Sequence, residues 1–320
     1  MKDKKIALLE NKLKNSNSCD NFDIKLKEPI HILNNHTSTV ICLTILKDGR
    51  LVSGSLDNSI IIYNKISYQP DIIIKEHNKS INCITTLSSG NLISCSNDNT
   101  IKLFKLKDSK YEILQTLNYH IDKVNKIIEL KNKSLVSCSY DKSIIFYKKD
   151  NNNNYIQDFK LNTNNNCYSV IQTKDNEICY SESNIQTITF YDLLQKEIKS
   201  KIVSIQTNLF NIEGFIMASK ELLLIPGINK ISIININKYN LIRIIDVPNS
   251  NNITSICMIN ENKLCTGDKN GAIRQWKIEG DNLFQISIKE KAHSDFIWSL
   301  INIGDGHIAS SSKDKSIKIW

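Results

Sequence analysis

The residues best suited to chemistry in this 320-residue chain are a histidine, a serine and an aspartate that recur together. His36, His77, His120 and His293 are each followed 21 residues later by an aspartate: Asp57, Asp98, Asp141 and Asp314. Four residues before each aspartate stands a serine, in turn Ser53, Ser94, Ser137 and Ser310. Six residues after it stands an aromatic ring: Tyr63, Phe104, Tyr147 and Trp320. Ser, His and Asp are the types that together activate a hydroxyl nucleophile. A catalytic triad is built once, however, and this set is complete four times. Repetition at fixed spacing marks a structural network, so no catalytic residue is assigned and no enzyme is expected.

Other chemistry is sparse. The two remaining histidines, His31 and His307, lie in no Cys/His cluster with zinc-ligand spacing, so no metal site is expected. Cys42 and Cys83 stand six residues after a repeated His, and Cys95 and Cys138 three before a repeated Asp. Cysteines locked to the repeat are small core hydrophobes, not a redox pair. Nine cysteines, an odd number without an exported context, read as reduced thiols in the cytoplasm or nucleus. Ten glycines leave little room for a phosphate-cradling loop, and no cofactor is expected.

The net charge of +8 suggests nucleic acid, but only three of 41 basic residues are Arg (Arg50, Arg243, Arg274). Lysine is a solvated point charge without the planar fork that reads phosphate and guanine. Lysines spread along the whole chain read as a solvated surface. No apolar run approaches a membrane span, and the charged first 14 residues exclude a secretory signal.

The elements that must position these residues form repeats. Three weaker copies share the frame: Thr163, Asn184 and Phe190; Asn208, Asn229 and Ile234; and Asn249, Thr266, Asn270 and Trp276. The aspartate position then falls at 57, 98, 141, 184, 229, 270 and 314, giving seven repeats. Runs such as Val40 to Ile45, Leu51 to Ser55 and Ser59 to Tyr63 are short, β-branched and bounded by turn clusters. Strand groups of this size cannot bury both faces alone, so the repeats must stack. Helical spacing is confined to Ile6, Leu9 and Leu13, within an N-terminal extension over 1–20.

The Ser-x-Ser-x-Asp-x-x-Ile-x-x-aromatic pattern with its upstream His resembles the WD-repeat family of β-propellers. Asn35, Glu76, Tyr119 and Ala292 replace the family's Gly before each His, and the strand-ending Trp survives only as Trp276 and Trp320. The resemblance implies an all-β, seven-bladed propeller over 21–320. Its blade cores are 36–63, 77–104, 120–147, 163–190, 208–235, 249–276 and 293–320. It implies that Asp accepts from His, His reaches Ser, and Ser reaches the aromatic position. Residues 24–33 are expected to supply the outer strand of blade seven, closing the ring.

The resemblance also implies a channel mouth lined by residues three and five after each His and by the residue before each Asp. There Phe296 and Trp298 are expected beside Ile41 and Leu56, with Tyr140 and Tyr168 on the far side. Lys123, Lys269 and Lys313 around them favour an acidic or phosphorylated peptide. The implied function is a non-enzymatic scaffold or adaptor, a monomeric ring within a larger complex, binding protein and not membrane. An RNA-binding propeller and a propeller-fold enzyme are the alternatives.

Overall fold

The computed structural model describes residues 26, 28–183, 187–203 and 214–320. Asn184, Asn208 and the Ile6, Leu9, Leu13 segment lie outside the described residues. The chain forms seven four-stranded antiparallel sheets. Blades one to six span 40–74, 81–117, 124–162, 167–203, 216–246 and 253–289, with strands in chain order from the channel outward. Blade seven combines Ile297–Gly304, His307–Ser312 and Ile317–Ile319 with His31–Leu33 from the other end of the chain.

The second strand of each blade explains the pattern seen in the sequence. Leu51–Ser55, Leu92–Ser96 and Leu135–Ser139 are buried at every residue, so apolar side chains and serines both enter the interior. Apolar residues from adjacent blades then merge. Ile60 and Ile74 of blade one pack with Ile81, Ile84 and Phe104 of blade two. Ile93 and Cys95 of blade two pack with Val124, Ile145 and Tyr147 of blade three. At the last joint Leu33, Ile317 and Ile319 meet Val40, Leu43, Ile61 and Tyr63. Each joint is a hydrophobic core, and fully burying one such side chain stabilises by roughly 1.5–3 kcal/mol.

Two registers break the ladders at fixed places. Inner strands shift between Val40/Cys42, Ile81/Cys83, Val124/Lys126, Cys167/Ser169, Ile253/Ser255 and Ile297/Ser299. A β-bulge leaves one residue outside the ladder and re-aims its side chain. Here those residues are Ile41, Asn82, Asn125, Tyr168, Thr254 and Trp298. The third and fourth strands shift at the aromatic position, for example between Phe146/Tyr147 and Gln275/Trp276.

The closing strand is shorter than the sequence suggests. His31, Ile32 and Leu33 pair antiparallel with Ile319, Lys318 and Ile317, and Ile30 N–H donates to Ile319 O at 2.7 Å. Upstream, Leu26 packs into the core between blades six and seven, and the Glu28 carboxylate accepts from Lys289 Nζ at 3.1 Å. Leu26 and Glu28 therefore follow the ring by side-chain contacts before strand pairing begins.

Inter-blade bonds repeat on the face opposite the Asp turns. Thr86 Oγ1 donates to Ile45 O at 2.8 Å, Ser88 Oγ to Glu129 at 2.8 Å, and Lys131 N–H to Gln172 at 2.8 Å. The eight described cysteines are all buried, and none of them forms a disulfide. Burial pushes the Cys95, Cys167, Cys179 and Cys265 thiols well up, as expected of apolar filling rather than reactive groups.

Closure by residues 31–33 makes a prediction. Without them Ile317–Ile319 becomes an open edge and the core at the last joint loses Leu33, which invites edge-to-edge association. Deleting 1–33 should yield aggregated protein on size-exclusion chromatography, whereas deleting 1–15 should leave a soluble ring. A soluble monomer from the longer deletion would contradict this closure.

Candidate functional site

Four blades carry one hydrogen-bond geometry. His36, His77, His120 and His293 each place Nδ1 2.8 Å from Oδ2 of Asp57, Asp98, Asp141 and Asp314. Their Nε2 atoms lie 2.7 Å from the Oγ of Ser53, Ser137 and Ser310, and 2.8 Å from that of Ser94. With Nδ1–H donated to the carboxylate, neutral His leaves Nε2 to accept from the serine hydroxyl. The fourth member varies. Trp320 Nε1–H donates to Ser310 at 2.8 Å, and the Tyr147 hydroxyl lies 2.9 Å from Ser137. Tyr63 is farther from Ser53, at 3.4 Å, and Phe104 fills the position by packing alone.

The turn that carries each aspartate is set locally. Asp57 Oδ1 accepts from Ser59 N–H at 3.0 Å and its own N–H donates to Ser55 Oγ at 3.1 Å. The following residue takes a left-handed backbone, with φ of 70° at Asn58, 71° at Asn99, 60° at Lys142 and 71° at Lys315. Burial alone would raise these carboxyls. Hydrogen bonds from the paired His and from Ser59, Thr100, Ser143 or Ser316 outweigh it and hold them well below 3.8. Burial also pushes the His293 imidazole below 6.5, against the pull of Asp314.

The weaker repeats solve the same problem differently. In blade six Trp276 Nε1–H donates to Thr266 Oγ1 at 2.9 Å, as expected. Asn270, however, is not part of a His-centred chain and donates to Asn249 O at 2.9 Å. A buried ion pair missed in the sequence, Arg274 with Asp268, supports this turn instead, and Asp268 also accepts from Ala272 N–H at 3.0 Å. Gly271 follows at φ +76°, and a Cβ there would stand 2.2 Å from His293 O. Blade four uses buried Glu182, which accepts from Asn165 N–H at 2.9 Å while Thr163 bonds Asn165 O. In blade five Ile234 fills the aromatic position, and Asn229 accepts from Ser250 Oγ at 3.1 Å with a φ of 53°. Asn229 is thus not the idle residue its lost partners suggest.

The bulges place the mouth residues. The N–H before each Asp donates to the carbonyl three residues after the His, as in Tyr140 to Lys123 (3.0 Å) and Lys313 to Phe296 (2.9 Å). This bond sets Lys123 Nζ 4.6 Å above the Tyr140 ring and Lys313 Nζ 4.8 Å above Phe296. Lys269 reaches Phe296 from blade six at 5.2 Å. Ile41, Leu56, Trp298, Lys123, Tyr140 and Tyr168 line one cavity of about 210 Å³, with Asn82, Asn97, Asn125 and Lys126.

One expectation is corrected here. Tyr140 and Tyr168 line the same cavity as Trp298 from across the mouth, and Tyr140 O–H donates to Tyr168 at 2.7 Å. Burial, then this pairing, push the Tyr140 hydroxyl upward. Phe296 does not line the cavity beside Ile41 and Leu56; it is clasped by lysines on the rim. Sequence reasoning also missed that bulge residues tie blades together. Asn82 Nδ2 donates to Val124 O at 2.8 Å, Asn125 Nδ2 to Cys167 O at 2.6 Å, and Thr254 Oγ1 to Ile297 O. An amide or hydroxyl five residues after the His position was the available signal.

Asp98→Ala strands His77, whose side chain is 1% exposed, and should cost on the order of 1–3 kcal/mol. Asn229→Gly keeps the left-handed backbone and strands one neutral hydroxyl, Ser250, so it should cost less than Asp98→Ala; equal melting-temperature losses would contradict the network. Acidification has a definite sign. The aspartates' contribution is complete above their ordinary 3.8 and is lost as pH falls through and below it. Neutral His293 adds a loss of the same sign that begins below 6.5. Thermal melts should therefore fall continuously on acidification, most steeply below 3.8; a flat profile there would contradict the ionised pairs.

The family model described as WD domain, G-beta repeat matches residues 27–64, 69–105 and 285–320. A comparison with curated proteins finds no match. The matched segments hold the His36, His77 and His293 networks, and His120 repeats their geometry outside them. Seven four-stranded blades closed by the N-terminal strand make this chain a seven-bladed β-propeller, three of whose repeats match the WD-repeat family model.

Proposed function

We propose that this propeller is a non-enzymatic scaffold or adaptor that holds a protein partner on its channel-mouth face. One observation carries the reading: large apolar and aromatic side chains gather at the mouth and stay partly exposed there. Leu56 is 38% exposed, and Ile41, Tyr140, Tyr168, Phe296 and Trp298 are half-buried around the same opening. Aromatic anchors in such settings supply most of the energy of protein interfaces. The His, Ser and Asp sets offer no competing catalytic reading, because each is consumed in its own blade. Lys123, Lys269 and Lys313 favour a partner with acidic or phosphorylated residues. Eight buried cysteines outside any disulfide suit a reducing compartment, cytoplasmic or nuclear.

The test is a Phe296→Ala/Trp298→Ala double variant, compared with the wild type by affinity recovery and mass spectrometry. A partner recovered with the wild type should be lost, with a nearly unchanged melting temperature. A large drop in melting temperature would assign both rings to inter-blade packing.

A further inference from the structure

The mouth cavity supports a sharper statement about its occupant, resting on the docking reading above. Its wall presents several donors, and its side-chain acceptors are neutral amide oxygens. Tyr140 commits its hydroxyl proton to Tyr168, so the Tyr168 proton has no acceptor among the described residues. Lys123 and Lys126 bring two ammonium groups, and no carboxylate lines the cavity among the described residues. Asn82 gives its amide to Val124 O and to Asn97 Oδ1 at 2.8 Å each, which occupies the Asn97 acceptor. On the opposite wall stand Ile41, Leu56 and the indole of Trp298.

Trp298 adds an independent observation. It is the bulge residue of blade seven, the place from which Asn82, Asn125 and Thr254 bond to the next blade. Its indole N–H is buried and has no hydrogen-bond partner. An unpaired buried donor is costly, and a small turn of the ring toward an acceptor in the cavity relieves that cost.

We propose that the cavity takes one carboxylate-bearing side chain from an extended segment of the partner. Its methylenes lie on Ile41, Leu56 and the Trp298 ring, and its oxygens face Tyr168, Lys123 and the turned indole N–H. About 210 Å³ admits a single side chain and excludes a helix, whose diameter is about 10 Å. Carboxylate is favoured over phosphate because the oxygens meet one ammonium, Lys123, and two neutral donors, which match a single negative charge rather than the nearly two of a phosphate.

The experiment titrates three blocked peptides, Gly-Leu-Glu-Gly and its Gln and phosphoserine counterparts, into the full chain. The readout is the indole N–H resonances of its three tryptophans, by NMR. The Glu peptide should shift Trp298 alone and bind roughly tenfold more tightly than the Gln peptide. A Lys123→Gln/Tyr168→Phe variant should erase that preference, with the Trp276 and Trp320 signals unchanged as a check on folding. Equal Glu and Gln binding, no shift at Trp298, or tightest binding by phosphoserine would each overturn the carboxylate assignment. The docking reading is separable. Partner loss in the Phe296/Trp298 double variant without a peptide shift keeps docking and removes this occupant. A peptide shift with an unaffected partner does the reverse.

Discussion

Each blade presents two apolar faces that only its neighbours can cover, and the molecule is organised by this constraint. Ile61 of blade one is buried because Ile317 and Ile319 of blade seven and Leu33 from the N-terminal strand complete the cluster around it. Contacts that are local within a sheet become stabilising only when the next sheet is in place. Three residues paired to the last strand, 31–33, therefore carry weight beyond their length. They complete blade seven and a joint core at once.

Burial of the second strand creates the next requirement. Leu51–Ser55 and its counterparts place serine hydroxyls where water does not reach, and a polar group there must find a partner. The His–Asp pair supplies it from the loop and turn on one face of the ring. Four blades use that solution. Blade six holds its turn with the Arg274–Asp268 pair and blade four with Glu182, while Ser181 of the second strand in blade four keeps no partner. Repeats that look degraded still form complete sheets, because other residues hold their turns. A set of residue types familiar from catalysis is here fully occupied in holding a turn.

The same bulge that ends regular pairing in the inner strands produces the mouth. Freed from the ladder, Asn82 and Asn125 turn to the neighbouring blade's carbonyls and stiffen the joints. Ile41, Tyr168 and Trp298 occupy the equivalent place and line the cavity. At this one register position, amide side chains reach and bond the next strand, and apolar or aromatic ones line the cavity without doing so.

Much of the architecture was legible in the sequence by itself. The His-to-Asp interval of 21 residues fixed the repeat, and the seven aspartate positions fixed the blade number, because one strand-turn-strand unit has a nearly constant length. The upstream segment before His36 announced the closing strand, although its paired part, His31–Leu33, is shorter than its apolar pattern. Side-chain partners across blades were not legible. The clasp of Lys269 on Phe296 and the meeting of Tyr140 with Tyr168 join residues of adjacent blades, whose separations vary with loop length. Spacing within a repeat is set by the backbone and so is written in the sequence; neighbours across a joint are set by how the blades pack, which only the folded ring decides.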